Sequence, residues 1–256
     1  MKLANAVCIV TGSATGTGAA CAVQLARKGC RVVVNFTKSQ SEAAATVEQC
    51  RASGAEAIAV RADVAADADC RALAQAALDK WGRIDGLINN AGITKFAPAA
   101  DLDALDAGDF QRIYAVNVIG PYQMIRACAP AMKKQQAGAI VNVSSISGVM
   151  GIGSSTAYIA SKGALNAMTL ALARSLAPQI RVNAVCPGLI ETRWHLSRFS
   201  PEDYAKFKAG YEKTVPLAKA ASPEDVAEVA VWLLEGAAQI TGEIIMVDGG
   251  LHLGKL

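Results

Sequence analysis

A phenol and an ammonium stand four residues apart in the stretch SSTAYIASKGALNAM, at Tyr158 and Lys162. On a helix, positions i and i+4 share one face. The pair therefore reads in one of two ways. It is a surface contact of little consequence, or it is a phenol whose proton a neighbouring cation helps to release. A free tyrosine titrates near about 10, and a nearby positive charge favours the phenolate. A phenol tuned in this way serves as an acid in one direction of a reaction and a base in the other.

A second stretch, VTGSATGTGAA, follows the first apolar run and opens a helix-forming segment. Gly12, Gly16 and Gly18 are spaced GxxxGxG, with Thr15 and Thr17 between them. The first glycine permits a tight turn, and the later ones let backbone approach a pyrophosphate at a helix N-terminus. An ordinary turn is the alternative, but the position after an N-terminal strand favours dinucleotide binding. An acid at the end of the second strand would hold the ribose hydroxyls of NAD. Here Asn35 and Phe36 stand in that region, followed by Thr37, Lys38 and Ser39. A carboxylate would repel a 2′-phosphate, whereas these residues could bind one, so NADP(H) is expected, with NAD as the alternative. The same polar residues also read as a helix start, with Ser39 or Ser41 as its cap.

The elements that must position these groups alternate along the whole chain. Strand candidates lie at 6–12, 31–36, 55–63, 84–92, 137–145, 180–188 and 242–250. Most are apolar on both faces, as strands of a parallel sheet covered by helices are. Between them, AACAVQLARKG, SEAAATVEQCRASG and DADCRALAQAALDKWG show helical spacing and end in glycine. In ASPEDVAEVAVWLLEG, Ser222 is placed to cap a helix with Pro223 in its first turn. The pattern predicts one doubly wound domain over 1–256, an α/β fold with a seven-stranded parallel sheet and helices on both faces. Residues 191–215 break the alternation and hold five of the thirteen aromatics: Trp194, Phe199, Tyr204, Phe207 and Tyr211. The segment reads as a substrate lid. An oligomer contact or a satellite core cluster is the alternative.

Composition narrows the function classes. The 256 residues carry a net charge of +3 with no Lys/Arg cluster, which argues against nucleic acid. No apolar run reaches membrane-spanning length, and the N-terminus lacks a signal peptide's pattern. Seven cysteines without a CxxC read as small buried hydrophobes of a reducing cytosol, so a cytoplasmic location is expected. With only His195 and His252, a metal site is not expected, and neither histidine lies in a convincing nucleophile context.

Taken together, TGSATGTG, NNAG (89–92), VN (116–117), VNVSS (141–145), YIASK (158–162) and PGLIET (187–192) resemble the short-chain dehydrogenase/reductase family. VVVNF and TGEIIMVDGG make the chain similar to 3-oxoacyl-carrier-protein reductases. The resemblance implies a catalytic set of Asn117, Ser145, Tyr158 and Lys162, with Ser144 the neighbouring alternative to Ser145. It places Asn90, with Ala91 and Gly92, at the cofactor cleft, and Asp63 and Val64 beside the adenine. Pro187, Gly188, Ile190 and Thr192 belong to the loop around the nicotinamide. In this reading Lys162 lowers the Tyr158 pKa and holds the ribose, and Asn117 holds a water leading to solvent. The function implied is an NADP(H)-dependent reductase of a small-molecule or carrier-bound ketone, acting reversibly. An NAD-dependent alcohol or sugar dehydrogenase of the same family is one alternative. A non-catalytic dinucleotide-binding protein is another. An epimerase or dehydratase on a similar fold would need a longer chain. Thr94, Lys95, Gly151, Ile152 and Trp194 fall after strand ends as pocket candidates, and Arg193 and Arg198 as contacts for an acidic carrier. A homotetramer is the family expectation, supported by the apolar breadth of residues 163–177.

Overall fold

The computed structural model describes residues 1–196 and 199–254, the side chains of 195 and 196 excepted. Arg198 lies outside the described residues. The strands are β1 (Val7–Val10), β2 (Arg31–Phe36), β3 (Ala57–Arg61), β4 (Gly86–Asn89), β5 (Gly138–Val143), β6 (Ile180–Pro187) and β7 (Ile244–Val247). They form one sheet in the order β3-β2-β1-β4-β5-β6-β7, with every pairing parallel. All seven expected strands are present, six of them shorter than the apolar runs suggested. The surplus residues, such as 11–12 and 90–92, are loops at the strand ends, where the glycines and asparagines turn the chain.

The helices are α1 (Gly16–Arg27), α2 (Gln40–Ala52), α3 (Asp67–Trp81), α4 (Ala107–Tyr114), α5 (Gly120–Lys134), α6 (Ser147–Met150), α7 (Thr156–Leu176), α8 (Arg193–Leu196), α9 (Pro201–Thr214) and α10 (Pro223–Glu235). Alternate residues of each strand face opposite ways, and the core divides accordingly. Cys8, Val10, Val32, Val34 and Val141 meet α1, α2 and α10 on one face. Val7, Ile9, Val33, Leu87 and Ile140 meet α3, α5 and α7 on the other. All seven cysteines are free and buried within these layers or beside them.

Local chemistry sets the helix starts. Ser222 and Asp225 form a reciprocal capping box at α10, and Ser200 accepts from the Asp203 amide at α9. A capping box of Asp106 and Asp109 opens α4, and a π-helical turn, Ala115–Ile119, joins α4 to α5. Neither of these was evident from hydrophobic spacing.

The strand order reverses between β1 and β4. A crevice opens there at the carboxyl ends of the strands, the place where doubly wound sheets receive ligands. The glycine turn after β1 and the NNAG segment after β4 both lie at this point. No described helix is long and apolar enough to cross a membrane.

Candidate active site

The crevice is an open cleft of ≈ 850 Å³. Its lining includes Gly12, Thr15, Gly16, Thr17, Asn35, Phe36, Thr37, Lys38, Asp63, Val64, Asn90, Ala91 and Gly92 from the first half of the chain. Ser145, Tyr158, Lys162, Pro187, Gly188, Ile190 and Thr192 line it from the second half. Gly18 and Asn117 stand behind this lining and support it.

The glycine turn is clamped from two sides. Gly12 has φ +60° and Gly16 φ +58°, the left-handed region that glycine adopts without strain. The Asn90 side chain donates to the Thr11 and Gly12 carbonyls at 3.0 Å each, and the Thr11 hydroxyl accepts from the Asn90 and Ala91 amides. On the other side Asn35 accepts from the Gly12 amide at 3.0 Å and donates to the Ala62 carbonyl at 3.0 Å. Asn35 therefore holds the loop, and the side chains left open toward the ribose end are Thr37 and Lys38. A Cβ on Gly18 would stand 2.5 Å from Asn90 Nδ2 and 2.5 Å from the Gly12 oxygen, so only glycine fits. At the start of α1, Thr15 makes no side-chain cap and the first turn holds no acid. The helix-end amides are thus free for an anion. This cradle fits the diphosphate of a dinucleotide.

Ser144 and Ser145 follow β5 and point apart. The Ser144 hydroxyl donates to the Lys162 carbonyl at 3.2 Å. The Ser145 hydroxyl lines the cleft, accepts from the Ser147 amide and donates to the Ser147 hydroxyl at 3.0 Å. Ser155 caps α7 by accepting from the Tyr158 amide at 3.3 Å, and the Ser161 hydroxyl donates to the Tyr158 carbonyl at 2.7 Å. Asn117, in the π-helical turn, donates to the Ile93 carbonyl and to Ser161 and accepts from the Ile93 amide. These three bonds fix its side chain. Gly148 completes the support, since a Cβ there would lie 2.5 Å from the Lys162 carbonyl carbon. Ser155, Ser161, Thr11 and Gly148 were not singled out in the sequence, because small hydroxyl and glycine residues carry no spacing signal of their own.

The electrostatics correct one expectation. The Lys162 ammonium lies 5.6 Å from the Tyr158 ring centre and donates to the Val143 carbonyl at 2.8 Å. Burial lowers Lys162 from 10.5 to about 8. Burial also raises Tyr158 to about 12, with the Ser145 hydrogen bond pulling the other way. In the protein alone the lysine does not acidify the phenol. Both groups are desolvated, and desolvation disfavours each charged form.

The segment over the cleft has two parts. In α9, the Tyr211 hydroxyl accepts from the Leu189 amide at 3.1 Å, and Lys208 pairs with Glu191 at 2.8 Å. Tyr204 is buried, and Glu212 accepts from the Ala220 amide. These contacts fix α9 to the loop after β6. The short α8 instead crosses the cleft. Its Trp194 ring lies 6.0 Å from the Tyr158 ring, and its Arg193 reaches Ser39 and Glu42. Of the other pocket candidates, Thr94 lines the cleft, whereas Lys95 pairs with buried Asp109 at 2.7 Å and Gly151 and Ile152 are exposed outside it. No metal-ligand cluster occurs among the described residues.

The family model described as enoyl-(acyl carrier protein) reductase matches residues 12–252. A Streptomyces violaceoruber protein named as ketoacyl reductase 2 of the granaticin polyketide synthase is 42% identical over 247 residues, 96% of each chain. A 3-oxoacyl-[acyl-carrier-protein] reductase of Synechocystis sp. is 38% identical over 248 residues, again 96% of each. A crystal structure from Burkholderia xenovorans, described as a short-chain dehydrogenase/reductase, superposes with a TM-score of 0.91 at 40% identity. It covers 98% of this chain and 99% of its own.

Proposed function

Because the chain belongs to the short-chain dehydrogenase/reductase family, we propose that it is an NADP(H)-dependent reductase of ketones. The ketone is a 3-oxoacyl group carried as a thioester on an acidic carrier, and the product is the secondary alcohol. The observation that carries this reading is the meeting of Ser145, Tyr158 and Lys162 with the glycine cradle in one cleft. The absence of a carboxylate at the end of β2, where Phe36 is followed by Thr37 and Lys38, supports NADP(H).

A bound nicotinamide dinucleotide supplies the hydride for the carbonyl carbon. The protein's own groups do the rest. The free amides of α1 and the loop of Gly12 receive the diphosphate. Ser145 donates to the substrate oxygen and steadies its growing negative charge. Tyr158, a phenol at about 12 in the protein alone, is fully protonated near neutrality and gives the proton in the reductive direction. In the oxidative direction it must lose that proton, and a positive charge brought beside it lowers its pKa. Lys162 would hold the ribose hydroxyls, while Asn117 and Ser161 keep the helix in place. Trp194 and α8 act as the moving cover, and α9 as its fixed post. Outward-facing Ala167, Leu170 and Ala171 of α7 form the contact with a second copy in a homotetramer.

The test is cofactor oxidation by a panel of 3-oxoacyl thioesters, free and carrier-bound, and of simple ketones, with NADPH and with NADH. The wild type should favour NADPH and 3-oxoacyl thioesters. Tyr158→Phe should lose about 10²- to 10⁴-fold in kcat and keep its NADPH affinity. Turnover in that variant close to the wild type would remove the assigned proton donor. Failure of every ketone to oxidise the cofactor would overturn the reading.

A further inference from the structure

We infer that Arg193 is a ligand of the cofactor's 2′-phosphate, closing on it together with Lys38. The inference rests on the NADP(H) reading above and adds a residue from a distant part of the chain. Three cations line the cleft: Lys38, Lys162 and Arg193. Lys162 is held beneath the Tyr158 end by the Val143 carbonyl. Lys38 and Arg193 remain for the phosphate end, and Lys38 makes no ion pair among the described residues.

Arg193 is brought there from 154 residues away. Its Nη2 lies 3.3 Å from Ser39 Oγ, and its Nη1 lies 3.4 Å from Glu42 Oε1. Ser39 stands at the start of α2 without capping it, so its hydroxyl is not committed to the helix. Thr37, Lys38, Ser39 and Arg193 all line the same cleft. Arg61 is the other cation nearby; it donates to the Thr37 carbonyl and shares a neighbouring depression with Thr37 and Lys38, where Asp63 and Asp69 set two carboxylates beside it.

The existing contacts of Arg193 are long for charge-assisted bonds and exposed to solvent, so they hold the side chain weakly. A phosphate offers a guanidinium two parallel short bonds and displaces such a pair. Glu42 sets what a phosphate must outcompete. Its carboxylate pairs with Arg193 and competes with a phosphate for the guanidinium. The next residue, Trp194, packs on the Tyr158 ring. Engagement of Arg193 at one end of the cleft therefore restrains the cover over the reacting end.

Dissociation constants for NADPH, NADH, adenosine 2′,5′-bisphosphate and AMP, measured on the wild type, Arg193→Met, Lys38→Met and Glu42→Gln, test this. Arg193→Met should weaken NADPH and the bisphosphate about tenfold and leave NADH and AMP nearly unchanged. Glu42→Gln should tighten NADPH. The bisphosphate, which lacks a nicotinamide, should change tryptophan fluorescence in the wild type but not in Arg193→Met or Trp194→Phe. If Lys38→Met loses NADPH affinity and Arg193→Met does not, Arg193 is only a rim ion pair and the inference falls. If the wild type binds NADH as tightly as NADPH, the cofactor reading itself fails and this inference with it.

Discussion

Replacing Lys162 by Met should make the protein less sensitive to pH while it destroys the active site. Lys162 is 4% exposed, and its pKa falls from 10.5 to about 8 on folding. A group whose folded pKa is depressed contributes stability above its unfolded pKa and loses it as pH falls through the folded value. For Lys162 that loss runs from 10.5 down to about 8. Each decade is about 1.4 kcal/mol, so the buried ammonium opposes folding by about 3 kcal/mol at neutral pH. Methionine removes this charge but leaves the Val143 carbonyl without its donor, which costs about 1–3 kcal/mol. The net gain at pH 7 is therefore about 0–2 kcal/mol, or up to several degrees in Tm for a chain of this size. The sharper observable is the difference between variant and wild type, because groups common to both cancel. Urea unfolding at fixed protein concentration, repeated from pH 6.5 to 9.5, should show the advantage of Lys162→Met shrinking by about 2 kcal/mol as the wild-type lysine sheds its proton. Tyr158 acts above this window: its contribution is present below 10 and lost toward about 12. A difference that stays constant across the range would refute the claim that the lysine is charged against its surroundings.

Ser145→Ala should lower kcat by about 10²- to 10³-fold, whereas Ser144→Ala should keep most of kcat; each should lose about 1 kcal/mol of stability with its hydroxyl bonds, Ser145 to Ser147 and Ser144 to the Lys162 carbonyl, so steady-state kinetics beside thermal unfolding show whether only Ser145 serves the reaction. Gly18→Ala should drive a methyl into Asn90 and the Gly12 carbonyl, costing about 2–4 kcal/mol and most cofactor affinity, measured by unfolding and NADPH titration. Gly210→Ala, where a Cβ meets nothing within 4 Å inside α9, should raise stability by about 0.5–1 kcal/mol and leave kcat unaltered.

The parts of the fold legible in the sequence were those with a strong local pattern. Runs such as RVVVNF are apolar on both faces because helices cover both sides, and the run alone implies that cover. Ser222 announced its helix by capping chemistry that acts within four residues. The site was legible in the same way wherever a motif is contiguous. What escaped was assembled at a distance. Arg193 was read as a contact for a carrier, since nothing near it in the chain shows that it meets Ser39 and Glu42. The π-helical turn that aims Asn117 at Ile93 and Ser161 is a departure from helical spacing, which periodicity by its nature averages away. The opposing pKa shifts of Tyr158 and Lys162 also lay beyond the sequence. Four-residue spacing shows that the two are neighbours, but burial decides which way each one titrates.

Those shifts explain why so many small residues surround α7. A desolvated phenol and a desolvated ammonium both gain by moving toward water, so the backbone that carries them must be held. Tyr158 is tied by its amide to Ser155 and by its carbonyl to Ser161, and Lys162 is tied by its carbonyl to Ser144 and by its side chain to Val143. Further along the same helix, Thr169 accepts from Asn142 of β5, which accepts from Asn89 of β4. A helix capped at its start and pinned to β5 and its end at Lys162 and Thr169 leaves the reacting groups little freedom, as preorganised charge stabilisation requires. The two helices over the cleft are held unequally: α9 is bonded to the loop after β6, whereas α8 is held at its Arg193 end by weak exposed contacts. Under the proposed function, the pinned α7 would be the floor that does the chemistry and α8 the strap over it, fastened at Arg193 where the cofactor's distinguishing phosphate would bind.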